Sequence, residues 1–155
     1  TEIKVNFQNV NLHMLGKVQT NKVKFLIPLF DYLHSLDNLK LAEKISKEEI
    51  KKNKKIKIFI QVNIGDEKQK NGVNLDQLEN LYKECSLNLN LIIIGLMCLP
   101  PKNKPSQIFF SKLKSCAVKL NLNELSMGMS NDFEIAAENG STFLRIGSKI
   151  FGERN

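Results

Sequence analysis

The sequence predicts an α/β protein in which a parallel sheet is covered by helices, either doubly wound or part of a (β/α) barrel. Three observations lead there. Apolar runs of strand length alternate along the chain with segments of helical periodicity. The run at 90–98, Asn-Leu-Ile-Ile-Ile-Gly-Leu-Met-Cys, is nearly continuous, the pattern of a strand buried on both faces. Small and polar residues follow the apolar runs, above all Gly147 and Ser148, where sheets of this class place their binding face.

Each element has its own warrant. Asn11 to Leu15 reads as a short strand that opens through Gly16 and the polar cluster Gln19 to Lys22 into a helix reaching Phe30. Tyr32 to Asp37 is the second strand, with Asp37 as the expected N-cap of a helix from Asn38 to about Lys47. Lys57 to Ile64, rich in β-branched and aromatic residues, is the third strand and ends at Asn63 and Gly65. A loop from Asp66 to Gly72 leads to a helix over Leu75 to Cys85, where Leu75, Leu78, Leu81 and Tyr82 recur at helical spacing and Asn74 is placed to cap. Asn90 to Cys98 is the fourth strand, and Pro100, Pro101 and Pro105 break it into a loop before a helix over Gln107 to Leu120. A fifth strand (Glu124 to Met129), an acidic helix (Asp132 to Asn139) and a sixth strand (Phe143 to Ser148) complete the pattern.

Bulk properties narrow the function. A chain of 155 residues, 42% hydrophobic and 25% charged, suits one globular domain over 1–155 with a true core. No apolar run reaches membrane-spanning length. The opening TEIKVNFQNVN has neither the apolar core nor the cleavage site of a signal peptide, which places the expected home in the cytoplasm. Cys85, Cys98 and Cys116 are odd in number and far apart, so free thiols are expected rather than a disulfide or zinc site. His13 and His34 have no partners at metal-ligand spacing, and no metal is expected. The net charge of +7 raises nucleic acid as a partner. Much of the excess, however, lies in Lys47 to Lys57, interleaved with Glu48 and Glu49 and without aromatic residues, which reads as a solvated helix end and loop.

At the strand ends, Gly147 and Ser148 offer backbone amides and a hydroxyl suited to a phosphate, and Ser126, Gly128 and Ser130 form a second hydroxyl-rich end. Arg145, inside an apolar strand, must find a partner. Its expected partner is Asp132 or Glu134 in a structural pair, or else the ring or anion of a ligand. Gln19, Asn21 and Asn63 are each unremarkable loop residues taken singly.

Taken together, LHMLGKVQTNK (12–22), LHSLD (33–37), IQVNIGDEKQKNGV (60–73), IIGLM (93–97), LSMGMSND (125–132) and FLRIGSKIFGER (143–154) resemble the pyridoxal phosphate homeostasis protein family. The resemblance covers nearly the whole chain in order. It implies the TIM-type (β/α) barrel of the alanine racemase N-terminal domain and the cofactor pyridoxal 5′-phosphate. By motif position, Ser130 and the amides of Gly147 and Ser148 would hold the phosphate, and Met129 ends the same strand. Arg145 would face the pyridine nitrogen, Asn63 and Met97 would approach the ring face, and His13, Asn21 and Lys22 would line the mouth. A permanently protonated arginine beside the ring nitrogen disfavours a second proton there, which weakens the ring as an electron sink.

The chain departs from the family mildly at Leu12, where the family has a tryptophan before the first histidine, and at Ile150, before the Phe-Gly turn, and more substantially at its start. The family's first strand, with the lysine that holds the cofactor, and its second strand, with a Gly-Glu-Asn motif, would precede Thr1. Two βα units are about 60 residues, so six of eight units are expected here. The function implied is holding and delivering pyridoxal phosphate, to apo-enzymes that use it, without turnover. The alternatives are a racemase-like enzyme, opposed by the lack of a second domain and of the cofactor lysine, and a basic nucleic-acid-binding domain.

Overall fold

The computed structural model describes residues 9–152 except Lys68 and Lys70. The opening TEIKVNFQ, two lysines of the Asp66 to Gly72 loop, and Glu153 and Arg154 of the last motif therefore lie outside the described residues. Six strands form one sheet in sequence order, every neighbouring pair parallel: β1 (His13–Met14), β2 (Tyr32–Leu36), β3 (Lys57–Val62), β4 (Ile92–Cys98), β5 (Glu124–Met129) and β6 (Phe143–Arg145). Between them run α1 (Val23–Leu29), α2 (Leu39–Lys52), α3 (Leu75–Lys83), α4 (Ser106–Lys119) and α5 (Phe133–Glu138), and the short α6 (Ser148–Phe151) follows β6. Sequential order with helical crossovers is the barrel pattern, and the doubly wound alternative, whose strand order reverses at a switch point, is set aside. The sheet is strongly curled: the rings of His13 on the first strand and Phe143 on the last lie 5.8 Å apart across its concave face.

Period-two alternation divides the strands between two environments. Toward the helices go Leu33, Leu36, Ile58, Ile60, Val62, Leu96, Cys98, Leu125 and Met127, which join Ile27, Ile45, Leu78, Phe110 and Leu113 in one buried cluster. Each such aliphatic or aromatic side chain contributes roughly 1.5–3 kcal/mol through its burial. Phe59 and Met97 are equally buried but stand outside that cluster, with His34, Gln61 and Ser126, on the inner face.

The element bounds differ from expectation where side chains decide them. Helix α2 is capped by Asn38, whose Oδ1 accepts from the Leu41 amide at 2.9 Å, and not by Asp37. It continues to Lys52, so Lys47 to Lys52 are helical, residues 53–56 are loop and Lys57 opens β3. Asn53 closes it in the left-handed region (φ 47°). Asn74 stands at the N-cap of α3 without a side-chain bond, and the expected helical run to Cys85 passes into a π-type turn over Glu84–Asn88. Strand β6 stops at Arg145, because the chain turns at Gly147 into α6. Glycine is required at Gly128, where φ is +90° and a Cβ would lie 2.5 Å from that of Ala136 on α5.

Candidate functional site

Two features converge at the C-terminal ends of β5 and β6. The first is a cradle of backbone amides. Beyond β5 the Met129 amide donates to Asp132 Oδ1 at 2.7 Å, a tight turn that fixes Ser130. The Ser130 hydroxyl oxygen then accepts from the amides of Gly147 at 3.2 Å and Lys149 at 3.5 Å. An oxygen from the end of β5 already sits where an anion's oxygen would, with two amide donors from the segment after β6 facing it. A Cβ built on Gly147 would meet nothing within 4 Å, so no packing demands glycine there.

The second feature is a half-buried cation with neutral partners. Arg145 donates through Nη1 to Ser126 Oγ at 2.7 Å and through Nη2 to the Cys98 carbonyl at 2.8 Å. The expected structural pairs do not form: Asp132 serves the Met129 amide, and among the described residues no carboxylate is within ion-pair distance of the guanidinium. Burial lowers the Arg145 pKa, opposed by Cys98 and Asp132, yet an arginine stays protonated at neutral pH.

From Ser126 the hydrogen bonds continue inward. Ser126 Oγ lies 2.8 Å from His34 Nδ1, and His34 Nε2 lies 2.9 Å from His13 Nδ1. His34 is 1% exposed. It stacks on Phe59 at 4.4 Å, with Phe143 edge-on. Burial first, then His13 and Arg145, push its pKa down to about 3, so the ring is neutral. His13 stacks on Tyr32 at 4.1 Å, and its pKa is lowered by burial against an opposing pull from Asp31. Cys98, whose carbonyl receives Arg145, has a thiol pushed up to about 12 by burial and is no nucleophile.

The sequence-predicted residues divide accordingly. Ser130, Gly147, Ser148, Met129 and Arg145 are brought together at the two strand ends, with the amide of Lys149 rather than that of Ser148 on the Ser130 oxygen. Met97 is buried on the inner face beside Ser126, its register partner. His13 pairs in register with Tyr32, the first residue of β2, and is linked to Arg145 through His34 and Ser126. Both ends of the Asn63 amide are engaged with the Glu67 backbone, so it organises the loop after β3. Asn21 is exposed in a 3-10 turn over Thr20–Lys22 and lines a cavity of about 310 Å³ with Lys40, Glu43, Lys44 and Lys47 of α2, none of them a predicted site residue. His34 carries no predicted role, and Ser126 is predicted only as part of a strand end. Their signal was a polar residue at an inner-face position of an apolar strand, the same signal that singled out Arg145.

A parallel sheet in sequence order with helical crossovers, curled so that its first and last strands approach, is the architecture of (β/α) barrel domains. The chain belongs to the alanine racemase N-terminal domain family, whose sequence profile matches residues 3–155. It is similar to the pyridoxal phosphate homeostasis protein of Aquifex aeolicus, 42% identical over 152 residues, covering 92% of this chain and 66% of the relative. The protein of the same name from Synechocystis is 35% identical over 162 residues, covering 99% of this chain and 74% of the relative. Among solved structures, PipY of Synechococcus elongatus with PLP bound superposes with a TM-score of 0.89 at 28% identity, over 97% of this chain and 74% of that one. The alanine racemase of Corynebacterium glutamicum, at 13% identity and TM-score 0.73, shares the fold over 99% of this chain and 44% of its own. The chain thus spans about two thirds to three quarters of the length of the curated relatives.

Proposed function

We propose that this protein binds pyridoxal 5′-phosphate reversibly in the cytoplasm and delivers it to apo-enzymes without turnover of its own. The observation that carries the reading is an amide cradle at Gly147 and Lys149, closed on the Ser130 hydroxyl, beside a cation, Arg145, whose hydrogen bonds among the described residues go to neutral partners. The homeostasis name of the relatives and the PLP-bound neighbour support the same cofactor.

The residues present fit that group. Ser130 and the amides of Gly147 and Lys149 would hold the phosphate, with the Ser148 hydroxyl beside them. Arg145 would face the ring nitrogen, and Met97 would lie against the ring. Pyridoxal phosphate supplies an electron-withdrawing ring, and an arginine at its nitrogen damps that property by opposing protonation. Two groups of the strands that could move a proton are otherwise held. Cys98 is held as a thiol, and the Tyr32 hydroxyl accepts from Lys57 at 3.3 Å at the opposite end of the strands.

Titration of the full-length gene product with pyridoxal phosphate, followed by absorbance and fluorescence, tests the reading. Saturable one-to-one binding, much weaker for pyridoxal lacking the phosphate, is expected. Equal affinity for the two compounds would remove the cradle from the account, and conversion of L- to D-amino acids by the loaded protein would overturn the absence of turnover.

A further inference from the structure

The line of hydrogen bonds behind Arg145 has a direction, and the direction assigns a role to two residues. A guanidinium has donors and no acceptor, so at 2.7 Å the Ser126 oxygen must accept from Arg145. The hydroxyl's own proton then has to go elsewhere, and Ser126 is entirely buried. Its remaining partner among the described residues is His34 Nδ1 at 2.8 Å, which must accept. A neutral imidazole that accepts at Nδ1 carries its proton on Nε2. That proton points to His13 Nδ1 at 2.9 Å. The opposite order, with Nδ1–H donating to Ser126, would leave the Ser126 hydroxyl proton without an acceptor among the described residues.

We propose that His34 and Ser126 are positioning residues for Arg145: His34, neutral and protonated at Nε2, orients the Ser126 hydroxyl so that its lone pair fixes the guanidinium without neutralising it. This rests on the reading of Arg145 as the residue facing the cofactor's ring nitrogen. A carboxylate in Ser126's place would aim the guanidinium equally well, but would cancel the charge that disfavours a protonated ring nitrogen. A serine backed by a neutral histidine gives aim and leaves the charge intact. His34 is kept neutral by its setting, stacked on Phe59 with the Phe143 ring edge-on and Arg145 bonded to the far side of Ser126.

The test compares two replacements whose rankings reverse between this role and a packing role. In His34→Asn the side-chain oxygen takes the place of Nδ1, so the acceptor survives while ring volume is lost. In His34→Phe the stack on Phe59 survives and the acceptor is lost. The absorption spectrum and the ring-nitrogen NMR shift of bound 15N-labelled pyridoxal phosphate are to be read for both, with Ser126→Ala and Arg145→Met as references and melting curves alongside. His34→Asn is expected to keep the wild-type spectrum despite a lower melting temperature. His34→Phe and Ser126→Ala are expected to move it most of the way to that of Arg145→Met. A wild-type spectrum in His34→Phe together with a shifted one in His34→Asn overturns the positioning role. A second measurement needs no cofactor: 15N NMR of the ligand-free protein at neutral pH should show His34 as the Nε2–H tautomer, and the Nδ1–H tautomer overturns the proposal. Failure of the wild type to bind pyridoxal phosphate would count against the cofactor assignment, while the tautomer experiment would still decide the direction of the relay.

Discussion

The two faces of the sheet are made by the same strands and built on opposite terms. Toward the helices, Ile58, Ile60 and Val62 of β3 join the buried hydrophobic cluster. One residue out of phase, Phe59 stacks on a histidine and Gln61 donates to the Asn71 carbonyl at 3.2 Å. The outer face gains from every apolar contact and asks nothing of direction. On the inner face His34 and Ser126 are buried and Arg145 is half-buried, and a lost partner there leaves a desolvated donor or acceptor behind. The fold's stability and its specificity are thus carried on opposite sides of a layer one chain thick.

Replacements on the two faces should separate those properties. The largest effect on stability is expected on the outer face: Ile60→Ala, at a fully buried site, should cost about 2–5 kcal/mol in urea unfolding and leave the spectrum of bound pyridoxal phosphate unchanged. A spectral change there would mean that the faces are not independent.

Acid should act through the inner face. His34 has an ordinary pKa of 6.5 when unfolded and about 3 when folded, so between those values the unfolded chain takes up a proton that the folded chain refuses. Stability contributed by the neutral ring is therefore complete above pH 6.5 and is lost as pH falls toward 3, at up to about 1.4 kcal/mol per pH unit for this group. His34→Phe should flatten that slope in chemical unfolding measured from pH 7 to pH 4. An unchanged slope would show that other groups govern acid stability.

Arg145→Ala should destabilise by about 1–3 kcal/mol, through the orphaned Ser126 hydroxyl and Cys98 carbonyl, and should shift the cofactor spectrum more than its affinity. The smallest effect on the fold belongs to the cradle. Gly147→Ala should leave the melting temperature unchanged, since its Cβ meets no protein atom, while weakening pyridoxal phosphate binding by roughly tenfold, or about 1.4 kcal/mol. Ser148→Ala should weaken it less, because the amides remain. A fall in melting temperature for Gly147→Ala would mark the glycine as structural.

The strands and their order were legible because buried parallel strands leave near-continuous apolar runs, and Leu91 to Cys98 is the clearest of them. Helix ends were less so. Asp37 and Asn38 are both good caps, and only the backbone direction at residue 38 decides between them. The strand-end residues of β5 and β6 could be read from small residues after apolar runs, and Arg145 from the anomaly of a charge among apolar neighbours. Its partners could not be read, because they lie on β4 and β5, and which side chains share the inner face depends on register between strands far apart in sequence. Asn21 shows the converse: proximity in a motif placed it with His13, while the 3-10 turn carries it toward α2.

The lysine-rich run after α2 has a consequence for how the net charge should be understood. Lys54 donates to the Phe30 carbonyl at 2.9 Å, and Lys55 donates to the Asn90 carbonyl at 2.6 Å and pairs with the buried Glu49 at 2.9 Å. The other oxygen of Glu49 accepts from the Ile56 amide at 2.9 Å, just before β3 begins. These cations work as fasteners between neighbouring strand starts, and their charge is largely committed to the protein itself. Acylating them would unpin the N-terminal rim of the half-barrel, where β2, β3 and β4 begin, while the cradle at the far end kept its own donors.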